Sequence, residues 1–244
     1  MVYAPGRPES TGEADGQMAE YTVNGVSLAI PDEMLNARIA GKLAKGGYEA
    51  HEAQAAAMRM KPGHRVLELG SGLGYIASIC AGVAGPGNVT TVEANPAMLP
   101  VIRANLDRNG FADVTLLHGA VTGQGEDDAQ IAFDPKQTFW AGRIADEDAD
   151  PGKVVSVPLL PLPSLLAKIR PHIVIMDIEG AEQHLFDAPW PAHVRGVMME
   201  LHPNQYPDTV IKRIVDCMSA SGLTYDPGPS RGRILCFRRL RHAD

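Results

Sequence analysis

The 244-residue chain is poor in the residues that staple or anchor a protein. It has three cysteines, Cys80, Cys217 and Cys236, far apart and with no C-x-x-C pair. A disulfide framework and a zinc knuckle are therefore disfavoured, and each cysteine reads as a small core residue. Aromatics make up only 5% of the chain, and no apolar run approaches the length that spans a bilayer. Basic residues number 22 against 29 acidic ones, for a net charge of -7. A nucleic-acid backbone needs a basic face, so neither nucleic acid nor a membrane is expected as partner. The basic tail "RRLRH" reads as a solvated terminus. The opening stretch "MVYAPGRPESTGEADGQ" has no apolar centre and is rich in Pro, Gly and acids, so a disordered lead and a cytoplasmic location are expected.

The organisation expected is a disordered lead over 1–19, a hairpin and helices over 20–62, and a main domain over 63–244 with an inserted hairpin at 120–158. "YTVNGVSLAI" places Asn-Gly between alternating segments, a hairpin signal. "PDEMLNARIAGKLAKGG" reads as one helix, and "YEAHEAQAAAMRM" as a second. Strands and helices then alternate: "HRVLELG", "GYIASICAGVAG", "NVTTVEA", "PAMLPVIRANLDRNG", "DVTLLHGAV", "HIVIMDI", a short helix "GAEQHLFDA", and "VRGVMMELH". Apolar strands alternating with helices imply a parallel α/β sheet covered on both faces. The ending "LTYDPGPSRGRILCFRR" is too short for a crossover and must form an antiparallel pair. A seven-stranded Rossmann-like sheet, parallel but for a terminal hairpin, is the class I methyltransferase architecture. The insertion has strands at "DAQIAFD" and "KVVSVPLL", with Phe139, Trp140 and Arg143 between them expected to border an acceptor pocket.

Ligands of such sheets bind at the carboxyl ends of the strands. Glu68, Gly70, Ser71, Gly72 and Gly74 form the turn after the first strand of the main domain. The glycines alternate, and Tyr75 stands at the sixth position, where a dinucleotide fingerprint has glycine. A pyrophosphate is therefore poorly served. S-adenosyl-L-methionine, with a nucleoside and an amino-acid tail but no diphosphate, suits the turn better. Glu93 ends the next strand, where a carboxylate can accept both ribose hydroxyls, with Ala94 and Asn95 following. Gly119, Ala120 and Val121 are the adenine candidates through their backbone groups, and His118 reads as a partly buried histidine.

A second constellation is "MDIEGAE", in which Asp177 and Glu179 follow the fourth main-domain strand; a helix N-terminus accounts for Glu182. Glu200 and His202, two apart after the fifth, are expected on the same rim, with His202 the proton carrier by its ordinary pKa. Asp177, Glu179, Glu200 and His202 are the catalytic candidates, Asp177 doubling as a cofactor contact, because an alcohol acceptor must lose its proton. No metal site is assigned, although Asp177, Glu179 and His202 are hard oxygen and imidazole ligands that leave metal assistance open.

"VLELGSGLGYI", "VEANP" and "MDIEGAE" followed by "ELHP" resemble the FkbM-family S-adenosylmethionine-dependent methyltransferases over about residues 46 to 240. The resemblance implies O-methylation of a hydroxyl on a small molecule, a natural product or sugar. It also matches a Tyr–Glu pair at Tyr48 and Glu49, which makes Glu49 a candidate lid over the cofactor. The chain departs from the family at Glu68 with "GSGLG", and at Ile175, where the family usually has Lys. Other readings are an N-methyltransferase, a protein or RNA methyltransferase, or a non-catalytic cofactor-binding domain. The oligomeric state is open.

Overall fold

The computed structural model describes residues 2, 17–126, 129–135, 143–144 and 152–240. The chain opens with a hairpin of β1 (Met18–Val23) and β2 (Val26–Pro31), joined through Asn24 and Gly25 at φ 49° and 82°. Both central residues at positive φ give the tight turn whose twist matches paired strands. The single helix expected after it is broken. A 3-10 turn at Asp32–Met34 comes first, and Asn36 then caps α1 (Ala37–Ala44) by accepting the Ile39 N–H at 2.9 Å. An Asn side chain competing for backbone donors is what restarts the helix there. α2 (Ala50–Arg59) follows.

The main sheet contains β3 (Val66–Leu69), β4 (Val89–Glu93), β5 (Thr115–His118), β10 (Ile173–Met176), β11 (Gly196–Glu200), β12 (Leu223–Tyr225) and β13 (Ile234–Arg239). Its order is β12-β13-β11-β10-β3-β4-β5. β13 is antiparallel to both β11 and β12, and the other neighbours are parallel. This is the seven-stranded class I methyltransferase sheet that the alternation implied.

The strand period of two divides the core. Val66, Ile175 and Met198 face one layer, with α2, α3 (Tyr75–Ala84), α4 (Leu99–Arg108) and the N-terminal hairpin. Leu67, Val174 and Val197 face the other, with α5 (Leu162–Ile169) and α6 (Asp208–Ala220). The hairpin packs into the first layer through Val23, Val26, Leu28 and Ile30. Asn105, wholly buried on α4, accepts the Ala29 N–H at 2.8 Å and donates to the Leu73 carbonyl at 3.0 Å.

The strand read over "DVTLLHGAV" is two. Gly119 breaks it, and β6 (Ala120–Thr122) leaves the main sheet to pair with β9 (Val155–Pro161). β9 also pairs antiparallel with β7 (Gln130–Asp134), which pairs with β8 (Arg143–Ile144). Phe139 and Trp140 lie outside the described residues, and Arg143 is described only by its place in β8. Of the lead over 1–19, only Val2 and 17–19 are described, and Val2 bridges Leu117. "GAEQHLFDA" forms only a 3-10 turn, Ala181–His184. Among the described residues no helix is long and apolar enough to cross a membrane.

Candidate cofactor and acceptor site

β3 ends where its neighbour β10 also ends, and the backbones meet closely. Asp177 N–H donates to the Leu69 carbonyl at 3.0 Å. Gly70 takes φ 87°, and a Cβ there would lie 1.9 Å from the Asp177 carbonyl oxygen. Only glycine fits that position. At Gly72, φ 55°, a Cβ would approach Tyr48 Oη to 3.3 Å and Glu49 Oε1 to 3.5 Å, so the Tyr48–Glu49 pair stands over the turn. Ser71 Oγ is buried with no hydrogen-bond partner. Gly74 packs against Ile102 and starts α3.

Glu93 closes the next strand. Its Oε2 accepts the Gly72 N–H at 3.2 Å and its Oε1 accepts the Asn95 N–H at 2.8 Å. Backbone N–H groups of Ser71 and Ala94 approach the same carboxylate, so it closes the turn from several sides. Burial pushes the Glu93 carboxyl up to about 7. Glu68 points toward the α3 layer, accepts the Thr91 hydroxyl, and is pushed by burial up to about 8. Gly119, Ala120, Val121 and Ala94 line the cleft beside Glu93, joined by Phe133 from β7. His118 Nε2 is buried without a partner.

The opposite wall follows β10 and β11. Asp177, Glu179 and Glu200 line the cleft there, and Arg233 pairs with Glu200 at 2.5 Å. His202 sits behind them, 6% exposed. Its Nε2 lies 3.4 Å from Asp177 Oδ1 and 3.5 Å from Glu179 Oε2, and its Nδ1 lies 3.2 Å from Glu182 Oε1. Burial pulls the imidazole down, but Glu182, Asp177 and Glu179 together outweigh it and raise its pKa. Burial, then Glu200 and Glu179, raises Asp177, with His202 opposing. The groups share protons, and the imidazolium is the favoured carrier because its neighbours are carboxylates. These carboxylates therefore shift His202 toward the imidazolium, above the range of a free imidazole.

Together these strand ends line one cleft, open to solvent. Seven carboxylates line it, from Glu49, Glu52, Glu68, Glu93, Asp177, Glu179 and Glu200, and no Lys, Arg or His does so among the described residues. Glu49 and Glu179 hold left-handed backbone, φ 44° and 52°, a strain that non-glycine residues carry mainly at functional sites. Such a wall repels a diphosphate and suits a ligand with a positive sulfonium and ammonium. Glu93 at the end of β4 and the open glycine turn fit its ribose and tail.

Residues 48–128 match the family model for protein-L-isoaspartate(D-aspartate) O-methyltransferase. The protein-L-isoaspartate O-methyltransferase of Methanococcoides burtonii is 42% identical over 62 residues, 25% of this chain and 30% of that protein. That of Hyperthermus butylicus is 42% identical over 69 residues, 25% of this chain and 29% of that protein. The chain thus matches less than a third of the length of these relatives. Among solved structures, Trm5b from Pyrococcus abyssi is similar in fold, with TM-score 0.50 and 12% identity, covering 98% of this chain and 62% of that one.

The fold is that of the class I methyltransferases.

The structure brings most of the residues singled out in the sequence into this one cleft. Ser71, Gly74 and Asn95 do not line it: they shape the turn and the helix start behind it. His202 does not line it either. Sequence reasoning missed Glu52 and Phe133 as lining residues, and Glu182 as the partner of His202. Glu52 lies in the first turn of α2, three positions after Glu49 at the helix N-cap, a proximity that could have revealed it. Phe133 belongs to the insertion, and no strand-end rule reaches it.

Proposed function

We propose that the protein is an S-adenosyl-L-methionine-dependent methyltransferase whose acceptor is an oxygen atom presented by a protein or peptide. The observation that carries methyl transfer is the cleft walled by seven carboxylates beside the alternating-glycine turn. The cofactor, when bound, supplies a methyl group on a positive sulfur. Glu93 would accept hydrogen bonds from the ribose, and Glu49, which stands over the glycine turn, would meet the ammonium end. Asp177, Glu179 and Glu200 line the far wall where the acceptor would sit; a hydroxyl acceptor would lose its proton to one of them, whereas a carboxylate acceptor needs no base. His202 fixes Asp177 and Glu179 by charge from behind. Burial raises the pKa of both carboxyls, which makes them stronger bases than ordinary carboxylates.

The names of the matched relatives support a protein oxygen as acceptor. A second reading, a hydroxyl on a small molecule, is favoured by the charge of the far wall. Two carboxylates 4 Å apart repel by about 4 kcal/mol at an effective dielectric of 20, so an isoaspartyl carboxylate is poorly received beside Asp177 and Glu179. The family match ends at residue 128, before any of these acids. The FkbM resemblance, strongest at Asp177–Glu182, belongs with this second reading; the matched family is a different one.

Methyl-labelled cofactor offered with an isoaspartyl peptide, a protein extract and a panel of hydroxylated metabolites decides between them. Label in protein that mild alkali releases as methanol is an ester and supports the first reading. Alkali-stable label in a small molecule is an ether and supports the second. Asp177→Asn should keep cofactor affinity and lower turnover by ~10²-fold. Loss of cofactor binding with normal turnover at saturation would move Asp177 to the cofactor's tail.

A further inference from the structure

The amino ends of the central strands carry a row of basic residues, at the edge of the sheet opposite the cleft. The His172 N–H donates to the Arg65 carbonyl at 2.7 Å, the Arg195 N–H to the His172 carbonyl at 2.7 Å, and the Arg239 N–H to the Arg195 carbonyl at 2.8 Å. Neighbouring strands stand about 4.8 Å apart, so these four positions span about 14 Å. Counting by two from Leu67, Val174, Val197 and Phe237 puts all four side chains on the face of α5 and α6. Arg170 ends α5 beside Arg65, and Lys61, His64 and His193 lie close by. Arg59, Arg103, Arg108, Arg213, Arg233 and Arg238 each approach a carboxylate within 4.0 Å; among the described residues Lys61, Arg65, Arg170, Arg195 and Arg239 approach none. In a chain with 29 acidic residues to 22 basic ones, this edge stands out as cationic with no counter-charge.

Helix ends account for part of the row. Arg65 Nε donates to the Arg170 carbonyl at 2.8 Å where α5 closes, and Arg239 donates to the Val194 and Ser221 carbonyls, each at 2.8 Å. Cations there offset the negative end of a helix dipole. Lys61, Arg170 and Arg195 are exposed, and among the described residues their side chains make no such bond. Between them stands His172. Its Nδ1 accepts the Arg65 N–H at 3.1 Å, so its proton sits on Nε2, and its ring meets that of His64 at 5.6 Å between centroids. Burial, then Arg65 and Arg195, pulls His172 below the usual imidazole range, and burial, then Arg195 and Lys61, does the same to His64. After burial, Arg170 is the largest pull on His193.

We propose that this edge binds a linear triphosphate, gripped by Arg170, Arg195 and Lys61 around the Nε2–H of His172. The planar fork of arginine takes a phosphate through two parallel bonds. The charges of a triphosphate follow one another more closely than the strands do, so one anion meets adjacent cations. The carboxylates of an extended acidic peptide recur on one side only every ~6.7 Å, wider than the step of the row. The net charge of -7 opposes a long nucleic-acid backbone, whereas a short anion meets only the local field. The strands between this edge and the cleft are four or five residues long, about 13–17 Å, so the site is separate from the cofactor cleft. It does not rest on the methyltransferase reading.

The test is a calorimetric titration of the full-length protein with sodium tripolyphosphate at fixed ionic strength, with and without S-adenosylhomocysteine. One anion should bind per chain, equally well in both. Arg195→Gln and Arg170→Gln, at exposed side chains that the fold does not use, should each weaken it roughly 10-fold with unchanged thermal melts. Arg195→Lys keeps the charge without the fork and should recover part of the loss. A nucleoside triphosphate in place of tripolyphosphate distinguishes the source: equal affinity means that the phosphates alone are read, and tighter binding through the same arginines means a nucleotide. Either supports the site. No binding at millimolar tripolyphosphate overturns the proposal. So does binding that Arg195→Gln and Arg170→Gln leave unchanged, or that S-adenosylhomocysteine displaces. A polyglutamate peptide or a single-stranded RNA that binds this edge more tightly than tripolyphosphate overturns it too, and makes the edge a docking surface for that macromolecule.

Discussion

Replacing Glu93 by Gln alters the cofactor site at one atom. The side chain keeps its size and burial, but one carboxylate oxygen becomes an NH₂ group. In the native protein Oε1 takes the Asn95 N–H at 2.8 Å and Oε2 the Gly72 N–H at 3.2 Å. The amide will turn its oxygen to the shorter contact, and its NH₂ will face Gly72 N–H, donor against donor. The glycine turn thereby loses a charge-assisted bond of about 1.5–3 kcal/mol. The neutral amide is cheaper to bury than the carboxylate, so the net loss of folding stability should be under about 2 kcal/mol. In the complex a ribose hydroxyl loses its charged acceptor as well. A further 1.5–3 kcal/mol corresponds to roughly 10- to 150-fold in Kd. Calorimetric titration with S-adenosylhomocysteine, beside thermal melts of both proteins, measures the two effects separately. A variant that binds within twofold of wild type would show that Glu93 does not hold the ribose.

Asn105→Ala should cost about 2–4 kcal/mol in urea unfolding, because the buried Ala29 N–H and Leu73 carbonyl both lose their partner. A loss under 0.5 kcal/mol would mean the hairpin is held without it. Gly70→Ala should prevent folding or cofactor binding, since its Cβ would overlap the Asp177 carbonyl; near-native circular dichroism with normal affinity would contradict the close approach of β3 and β10. Cofactor affinity should rise with pH through about 7, where Glu93 ionises. The sign for the free protein is opposite. A carboxyl raised from 4.5 by burial contributes stability that is fully present below 4.5 and lost as pH rises through about 7. Binding at pH 5.5 and 8 checks the first, and Glu93→Gln should flatten it.

Much of this site was legible because its signals are local. Gly70, Gly72 and Glu93 sit at strand ends that hydrophobic runs delimit, and the parallel sheet brings strand ends together. The antiparallel close of the sheet was legible for a similar reason, the short turn between β12 and β13. What failed depended on tertiary context. Asn36 breaks a segment of good helical pattern by capping α1, and Gly119 sends the chain out of the main sheet. Glu182 looked like an ordinary acid at a helix start. That 3-10 turn buries it completely against His202, a contact between positions 20 residues apart that no spacing encodes. The same contact, with Asp177 and Glu179, raises the His202 pKa against the pull of burial, which its ordinary value does not convey.

The most direct test of the account is a crystal structure grown with S-adenosylhomocysteine. The account predicts the ligand in the acid-lined cleft, its ribose hydroxyls on Glu93, its amino-acid tail over Gly70 and Gly72, and its sulfur facing Asp177. A ligand seated elsewhere, or in this cleft with its ribose away from Glu93, would contradict it.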